Sequence, residues 1–227
     1  MLAEVMIENA TEVRTAQHLG AHSVLLARHV GRGGTSPDLK TLSEVREAVR
    51  IPLTVLVRPD HQGFSYEKER KDKLLSHLKA YRNADIERIA LTVLDEDAVD
   101  VFFLEDILAF GFQITFQDFN NLKHPVQMVK MLGMYPRITR LVTRGNAVSS
   151  WEGREVIRDL VPAARHGLEV FAESTGLTHQ SMADFVRNSG VAGVQFGAQC
   201  RDSSGRLDLV MIEQFIDILL HKSLKRF

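Results

Sequence analysis

The chain has 227 residues, of which 44% are hydrophobic and 25% charged, a balance typical of a folded globular protein with a sizeable core. The formal net charge at pH 7 is -1, so the composition provides no basic field that would attract nucleic acid or an anionic membrane. We therefore expect a protein without a nucleic-acid partner and without a membrane partner.

Short apolar or β-branched runs recur along the chain, and a segment with helical signals follows each of them. Eight strands are predicted: AEVMI near 3, HSVLLA near 22, IPLTVLV near 51, ERIALTV near 87, FQITF near 112, ITRLVT near 138, LEVFA near 168 and VAGVQF near 191.

The intervening helices are predicted from their start signals. Asn9 and Glu12 form a capping pattern before the first helix. The Ser36-Pro37 pair predicts an N-cap and a first-turn proline for the second helix. Ser149 and Glu152 are expected to cap the sixth.

Eight strand-helix units of roughly 28 residues each predict a (β/α)₈ TIM barrel that forms a single domain over residues 1–227. The segments that lead into several strands also resemble one another, as expected of repeated units. The alternative is an open doubly wound sheet, which is disfavoured because no glycine fingerprint follows the first strand.

In such a barrel the functional site lies at the carboxyl ends of the strands. Strand 4 is expected to end near Asp95, strand 5 near Gln117 and Asp118, and the other strands near polar residues as well. Glu4, in the middle of strand 1, either points into the barrel, where it needs a cationic partner, or lies on the helix-facing side. If both side chains point inward, Arg58 at the end of strand 3 is the expected partner. The candidate ligand-binding residues are Glu4, Arg58, Tyr66, Gln117, Thr143, Arg144, Gly145, Glu173 and Gly197.

Most of these candidates have a structural alternative. Arg58 either forms an internal ion pair or binds an anion at the barrel mouth. Tyr66 is expected to pack as part of a lid. The loop from Thr143 to Gly145, together with the loops after strands 7 and 8, offers a phosphate or carboxylate cradle, although ordinary strand-to-helix turns are the favoured interpretation.

The reactive residues do not form a recognisable catalytic motif. Glu173, Asp118 and Glu4 could supply a general acid or base, but the sequence assigns them no role. No lysine stands at a strand end, which disfavours Schiff-base chemistry. The nine histidines show no zinc spacing, and only His29 and His61 fall in loops on the site face.

Cysteine content and the N-terminus bear on location. Cys200 is the single cysteine, so no internal disulfide can form, which fits a reducing cytoplasm. The N-terminus has no basic leader and carries acids within its apolar stretch, and no apolar run is long enough to span a bilayer. We expect a cytoplasmic protein.

The segment VRPDHQGFSY resembles a motif of the CutC copper-homeostasis family, in which a strand ending in IRPRGG precedes a phenylalanine and a tyrosine. The matching residues are Arg58, Pro59, Gly63, Phe64 and Tyr66. Further segments are similar to family segments in the same order: EVMIEN, TAQHLGAHSVLLA, RGGTSPDLKTLSEVREAVRIP, ITFQDFN, RLVTRG and GVQFGA. The resemblance implies a TIM barrel, a cytoplasmic location, self-association as a homodimer or other homo-oligomer, and a role in copper tolerance with copper as a ligand.

The departures from the family pattern concern the copper ligands. Met6 and Ala27 stand where the family has the two cysteines proposed for copper(I), Leu25 replaces a glutamate, and Gln117 replaces a histidine. Copper(I) prefers thiolate, thioether and imidazole ligands. The thioether of Met6 and the thiolate of Cys200 are therefore the remaining weak candidates for a metal site.

Three functional hypotheses remain. The first is a CutC-like protein that binds a small anion through Arg58 and lacks the family's cysteine copper ligands. The second is an isomerase, aldolase or lyase that acts on a phosphorylated metabolite. The third is a non-catalytic scaffold, in which Arg58 serves stability alone.

Overall fold

A computed structural model describes residues 1–223 and shows a closed barrel of parallel strands. Each strand pairs with its neighbours in sequence, and β8 pairs with β1 to close the barrel, with Leu2 opposite Gly193. The TIM-barrel prediction is confirmed. The barrel strands are β1 Leu2–Ile7, β2 Ser23–Leu26, β3 Leu53–Leu56, β4 Arg88–Leu91, β5 Gln113–Phe116, β6 Ile138–Thr143, β7 Glu169–Glu173 and β8 Gly193–Phe196.

Eight α-helices follow the strands among the described residues, one after each strand. They are α1 Ala10–His18, α2 Leu39–Ala48, α3 Lys68–Asn83, α4 Val101–Leu108, α5 Pro125–Leu132, α6 Arg154–Ala163, α7 His179–Ser189 and α8 Leu209–Ser223. None of the helices between residues 1 and 223 combines the length and the apolar character needed to cross a membrane.

The helix caps agree with the sequence in one case and differ in two. The side chain of Asn9 caps α1 by accepting from the Glu12 amide, as predicted. Asp38, rather than the Ser36-Pro37 pair, caps α2. Gly153 precedes α6 without a side-chain cap, and Ser149 instead accepts from the Glu152 amide in the preceding turn.

Strand 4 ends earlier than expected. β4 stops at Leu91, and Asp95 lies in a short hairpin of Leu94–Asp95 with Ala98–Val99. Leu94 also pairs with Ser65 of the loop after β3, and its amide donates to the Phe64 carbonyl at 2.9 Å. The hairpin therefore holds the β3–α3 loop in place, while Asp95 stays away from the barrel mouth.

The apolar residues form two separate layers. A large cluster fills the space between the strands and the surrounding helices. A small cluster inside the barrel consists of Met6, Leu25, Ala27, Val30, Leu56 and Ala90. Because side chains alternate along a strand, Glu4 and Met6 of β1 point into the barrel. Leu56 of β3 and Arg58, two residues further on, belong to the inward row of the third strand. Much of the remaining interior is polar, which is unusual because barrel interiors are mostly filled by branched apolar residues.

Candidate functional site at the barrel mouth

A cavity of about 100 Å³, partly open to solvent, lies at the carboxyl ends of the strands. Its lining comes from most of the strands of the barrel: Met6, Val30, Gly33, Leu56, Val57, Arg58, Phe64, Leu91, Thr92, Gln117, Asp118, Glu173, Ser174, Thr175, Gln195, Gly197 and Ala198.

Arg58 is held at the wall of this cavity by neutral groups. Its guanidinium lies 4.5 Å from the centre of the Phe64 ring, and Nη1 donates to the Gly33 carbonyl at 3.2 Å. Its Nε is buried without a hydrogen-bond partner, and no carboxylate of residues 1–223 lies within ion-pair distance of it. Arg58 is therefore a fixed cation whose charge is not neutralised by a neighbouring side chain.

Two glycines allow the β2–α2 loop to approach Arg58. Gly33 and Gly34 both adopt positive φ, at 85° and 79°. A Cβ atom on Gly34 would lie 2.7 Å from the Leu56 side chain, and one on Gly33 would lie 3.2 Å from Arg58 Nη1. Side chains at these positions would both strain the backbone and push the loop away from the cation.

The loop after β3 is held in place by Arg70 of α3. Arg70 binds both carboxylate oxygens of Asp60, at 2.7 Å and 3.0 Å, and stacks on the Tyr66 ring at 4.6 Å. Tyr66 is buried, and this burial raises the pKa of its hydroxyl to about 12. Tyr66 is absent from the cavity lining, and its ring packs against Phe103 and Arg70 instead.

The opposite wall of the cavity is acidic. Since β3 and β7 are four strands apart in a closed barrel of eight, Glu173 at the end of β7 faces Arg58 across the mouth. Glu173 lies 3.4 Å from Arg144 Nε and accepts from the Asn120 amide at 3.2 Å. Asp118 lies 3.5 Å from the same arginine. One cation is thus shared by two carboxylates.

This environment stabilises the protonated form of Glu173 relative to that of a glutamate in water. Burial raises the pKa of Glu173 to about 7, and the negative charge of Asp118 adds to the rise, while Arg144 and Asn120 oppose it. The carboxyl group therefore exchanges its proton close to neutral pH, a property common among catalytic acids and bases.

The Thr143–Gly145 loop has the form of an ordinary strand-to-helix turn, the interpretation that its sequence favours over an anion cradle. The amide of Arg144 donates to Asn120 Oδ1 at 2.8 Å, and the amide of Gly145 donates to Thr143 Oγ1 at 2.9 Å. A Cβ on Gly145 would collide with the Gly153 carbonyl. The loop packs tightly, and it serves the site by directing the Arg144 side chain to the acidic wall.

The floor of the cavity is a pair of amides. Gln117 Nε2 donates to Gln195 Oε1 at 2.7 Å, and Gln195 Nε2 lies 3.0 Å from Gln117 Oε1 and 2.8 Å from Glu4 Oε2. Glu4 is fully buried below this pair. Its cationic partner is Arg140, at 2.8 Å, and not Arg58 as the sequence suggested. Arg58 and Arg140 lie at different levels along the barrel axis. Arg58 is at the mouth, whereas Arg140 enters the barrel from the opposite end.

The candidate metal ligands are separated. Met6 lines the cavity, and its sulfur would lie 3.0 Å from a Cβ on Gly197. Cys200 is buried in the outer apolar cluster, 3.7 Å from the Ser174 hydroxyl, and burial raises the pKa of its thiol to about 11. The two sulfur atoms therefore do not share the cavity.

The structure thus brings six sequence candidates to the cavity: Arg58, Gln117, Asp118, Glu173, Gly197 and Met6. Sequence reasoning missed three polar residues that shape the site, namely Gln195, Asn120 and Arg140. For Arg140 and Gln195 a signal existed, because each is a long polar side chain within an otherwise apolar strand. Asn120 lies in a loop, and its role depends on contacts that the sequence does not display.

Comparison with known proteins agrees with this architecture. The model of the CutC family matches residues 1–200. A CutC protein of Pasteurella multocida is 26% identical over 195 residues, which cover 84% of this chain and 79% of the relative. The human copper homeostasis protein cutC homolog is 24% identical over 208 residues, covering 90% of this chain and 76% of that protein.

Solved structures show the same fold. A CutC crystal structure from Streptococcus agalactiae superposes with a TM-score of 0.78 at 20% identity, covering 86% of this chain and 98% of that one. Phosphoribosyl anthranilate isomerase from Thermotoga maritima superposes with a TM-score of 0.67 at 11% identity, covering 97% and 99%, a likeness of fold alone. Since the family model spans most of the sequence, the chain belongs to the CutC family.

Proposed function

We propose that this CutC-family protein binds a small anionic molecule at the barrel mouth, with Arg58 as its principal contact. The observation that carries the proposal is the lack of a charge partner for Arg58 within residues 1–223. Arg140 inside the barrel and Arg144 beside the mouth, by contrast, each contact two carboxylates. A cation held away from carboxylates is stabilised when a ligand supplies the negative charge.

The form of the site supports a small ligand with one anionic group. Carbonyl contacts and the Phe64 ring fix the guanidinium, so little side-chain entropy is lost on binding. The far wall carries Asp118 and Glu173, which would repel a second anionic group on the ligand. We therefore expect a polar molecule whose anionic end lies at Arg58 and whose uncharged end lies at the acidic wall.

Copper(I) does not fit the residues of this mouth. Met6 provides one thioether, while Cys200 is buried elsewhere with a raised pKa. His29 and His61 lie with their ring centres 6.1 Å apart, outside the cavity lining. In the described part of the chain, no three histidine, cysteine or acidic residues are grouped as a metal site would require. Soft-metal binding needs several such ligands together.

The anion proposal is tested by calorimetric titration of the purified protein with sodium sulfate and with inorganic phosphate. Substitution Arg58→Ala removes a charged hydrogen bond worth about 1.5–3 kcal/mol, so we expect affinity to fall by roughly 10- to 100-fold. Arg165→Ala, which removes an exposed arginine before β7 at the other end of the barrel, is the matched control and should leave binding unchanged.

Two outcomes would contradict the proposal. Equal binding by the wild-type protein and the Arg58→Ala variant would place the anion elsewhere. Absence of binding by the wild type, together with a lower melting temperature of the variant, would favour a scaffold in which Arg58 is purely structural. A parallel copper(I) titration should show no tight stoichiometric binding by the wild-type protein.

A further inference from the structure

The acidic wall has features that anion binding alone does not require. Glu173 lies in the cavity with its side chain 20% exposed, so a ligand can reach it. The charged groups that face it are Asp118 after β5 and Arg144 after β6, with the Asn120 amide beside them and Arg58 across the cavity. This environment keeps one carboxyl group reachable and able to change its protonation state.

We propose that Glu173 is a general base that moves a proton on a small hydroxycarbonyl compound whose anionic group, a phosphate or a carboxylate, binds at Arg58. The inference rests on the anion site proposed above and assigns it a reaction class. The raised pKa of Glu173, about 7, gives comparable amounts of base and conjugate acid at neutral pH, as reversible proton transfer requires.

The cavity also provides a group for the charge that develops on the substrate. Gln117 uses one N–H of its amide for Gln195, and a primary amide has a second N–H. Glu4 accepts from Gln195 Nε2 and so fixes the orientation of the pair. A donor fixed in this way stabilises a negative oxygen without reorganising during the reaction.

The proposed step balances without a co-reactant. The Glu173 carboxylate takes the proton from the carbon next to the substrate carbonyl. The electron pair of that C–H bond forms the C=C bond of an enediolate, and the carbonyl π pair moves to the oxygen that faces Gln117. The hydroxyl proton passes to that oxygen, and a lone pair of the oxygen that gave it up forms the new C=O bond. The C=C pair takes the proton from Glu173 at the former carbonyl carbon. The product is an isomer of the substrate, and Glu173 ends ionised, as it began.

The activity is tested by deuterium exchange, because exchange at carbon reports the proton-transfer step even when isomerisation goes no further. Protein is incubated in D₂O with dihydroxyacetone phosphate, with ribulose 5-phosphate and with hydroxypyruvate, and loss of the proton signal next to the carbonyl is followed by NMR. The phosphate probes and the carboxylate probe distinguish the two kinds of anionic group.

We expect exchange with at least one probe, with a rate that rises through about pH 7 as Glu173 ionises. Glu173→Gln should lower this rate at least about 100-fold, as expected for loss of a general base. Glu152→Gln, an exposed substitution in the turn before α6, is prepared in the same way and should retain the wild-type rate and pH profile. Arg58→Ala should raise the probe concentration needed for half-maximal exchange.

The outcomes separate this inference from the anion site. Exchange that persists in Glu173→Gln would overturn the assignment of the base. Arg58-dependent sulfate binding without exchange of any of the three probes would overturn the reaction class and leave the anion site intact. Absence of sulfate binding would contradict the proposed function itself, whatever the exchange results.

Discussion

The protonation of Glu173 makes a quantitative prediction about stability that needs no ligand. The pKa of this carboxyl rises from an ordinary value of 4.5 to about 7 on folding. The folded state therefore favours the protonated form, so Glu173 contributes stability at low pH that is lost as pH rises from about 4.5 through 7. Each unit of pKa shift corresponds to about 1.4 kcal/mol. Between pH 5 and pH 8 the expected loss is about 2–3 kcal/mol.

Glu173→Gln removes this titration while keeping the shape of the side chain. We expect the variant to gain about 2–3 kcal/mol relative to the wild type when urea unfolding is compared at pH 8 and at pH 5. Glu152→Gln, which lies on the surface, is the control for a general pH effect. A wild-type-minus-variant difference that stays flat between the two pH values would refute the reasoning, because it would show that folding does not perturb Glu173.

Three further predictions concern the barrel interior. Arg140→Met should destabilise the protein by about 3–5 kcal/mol because it leaves Glu4 buried without its cation, and adding Glu4→Gln should restore part of this loss in urea unfolding. Gly34→Ala should cost about 2 kcal/mol or more, since it combines a φ of 79° with a Cβ placed 2.7 Å from Leu56, as thermal unfolding would show. The double substitution Met6→Cys and Ala27→Cys should create copper(I) binding that the wild type lacks, measured by competition with a chromogenic chelator, because both positions belong to the small cluster inside the barrel, on β1 and just after the neighbouring β2.

The barrel and the direction of Arg58 could be predicted because they depend on local pattern. Alternating apolar runs mark the strands, and the carboxyl ends of parallel strands meet at one rim. Ser36 shows where local pattern fails. It resembles an N-cap, but its hydroxyl accepts from the Arg58 amide at 2.9 Å, and its own amide donates to the Arg58 carbonyl at 2.9 Å. Ser36 therefore fixes the backbone of Arg58, while Asp38 caps the helix.

Pairing inside the barrel could not be predicted for a related reason. The sequence leaves open whether Glu4 points inward or toward the helices, and its partner Arg140 is 136 residues away. Several arginines occupy strands or strand ends. The alternation of side chains predicts which of them point inward, but it does not predict their positions along the barrel axis. Here β6 is offset by a bulge between Ile114 and Thr115 of its partner strand, which sets Arg140 opposite Thr115. The partner of a buried charge thus depends on register, which the sequence specifies only through the complete sheet.

The buried charge of Glu4 connects the two ends of the barrel. One of its oxygens accepts from Arg140 Nη1 at 2.8 Å, on the side that opens between the strand N-termini, and the other accepts from Gln195 Nε2 at 2.8 Å. Gln195 is thereby oriented with Oε1 toward the amide donor of Gln117, which lines the mouth. An ionised carboxylate accepts hydrogen bonds only, so it permits one orientation of the Gln195 amide, whereas an apolar residue at this position would permit both. A buried ion pair is a weak source of stability, and a fixed polar floor beneath the site is a sufficient reason for a barrel to contain one.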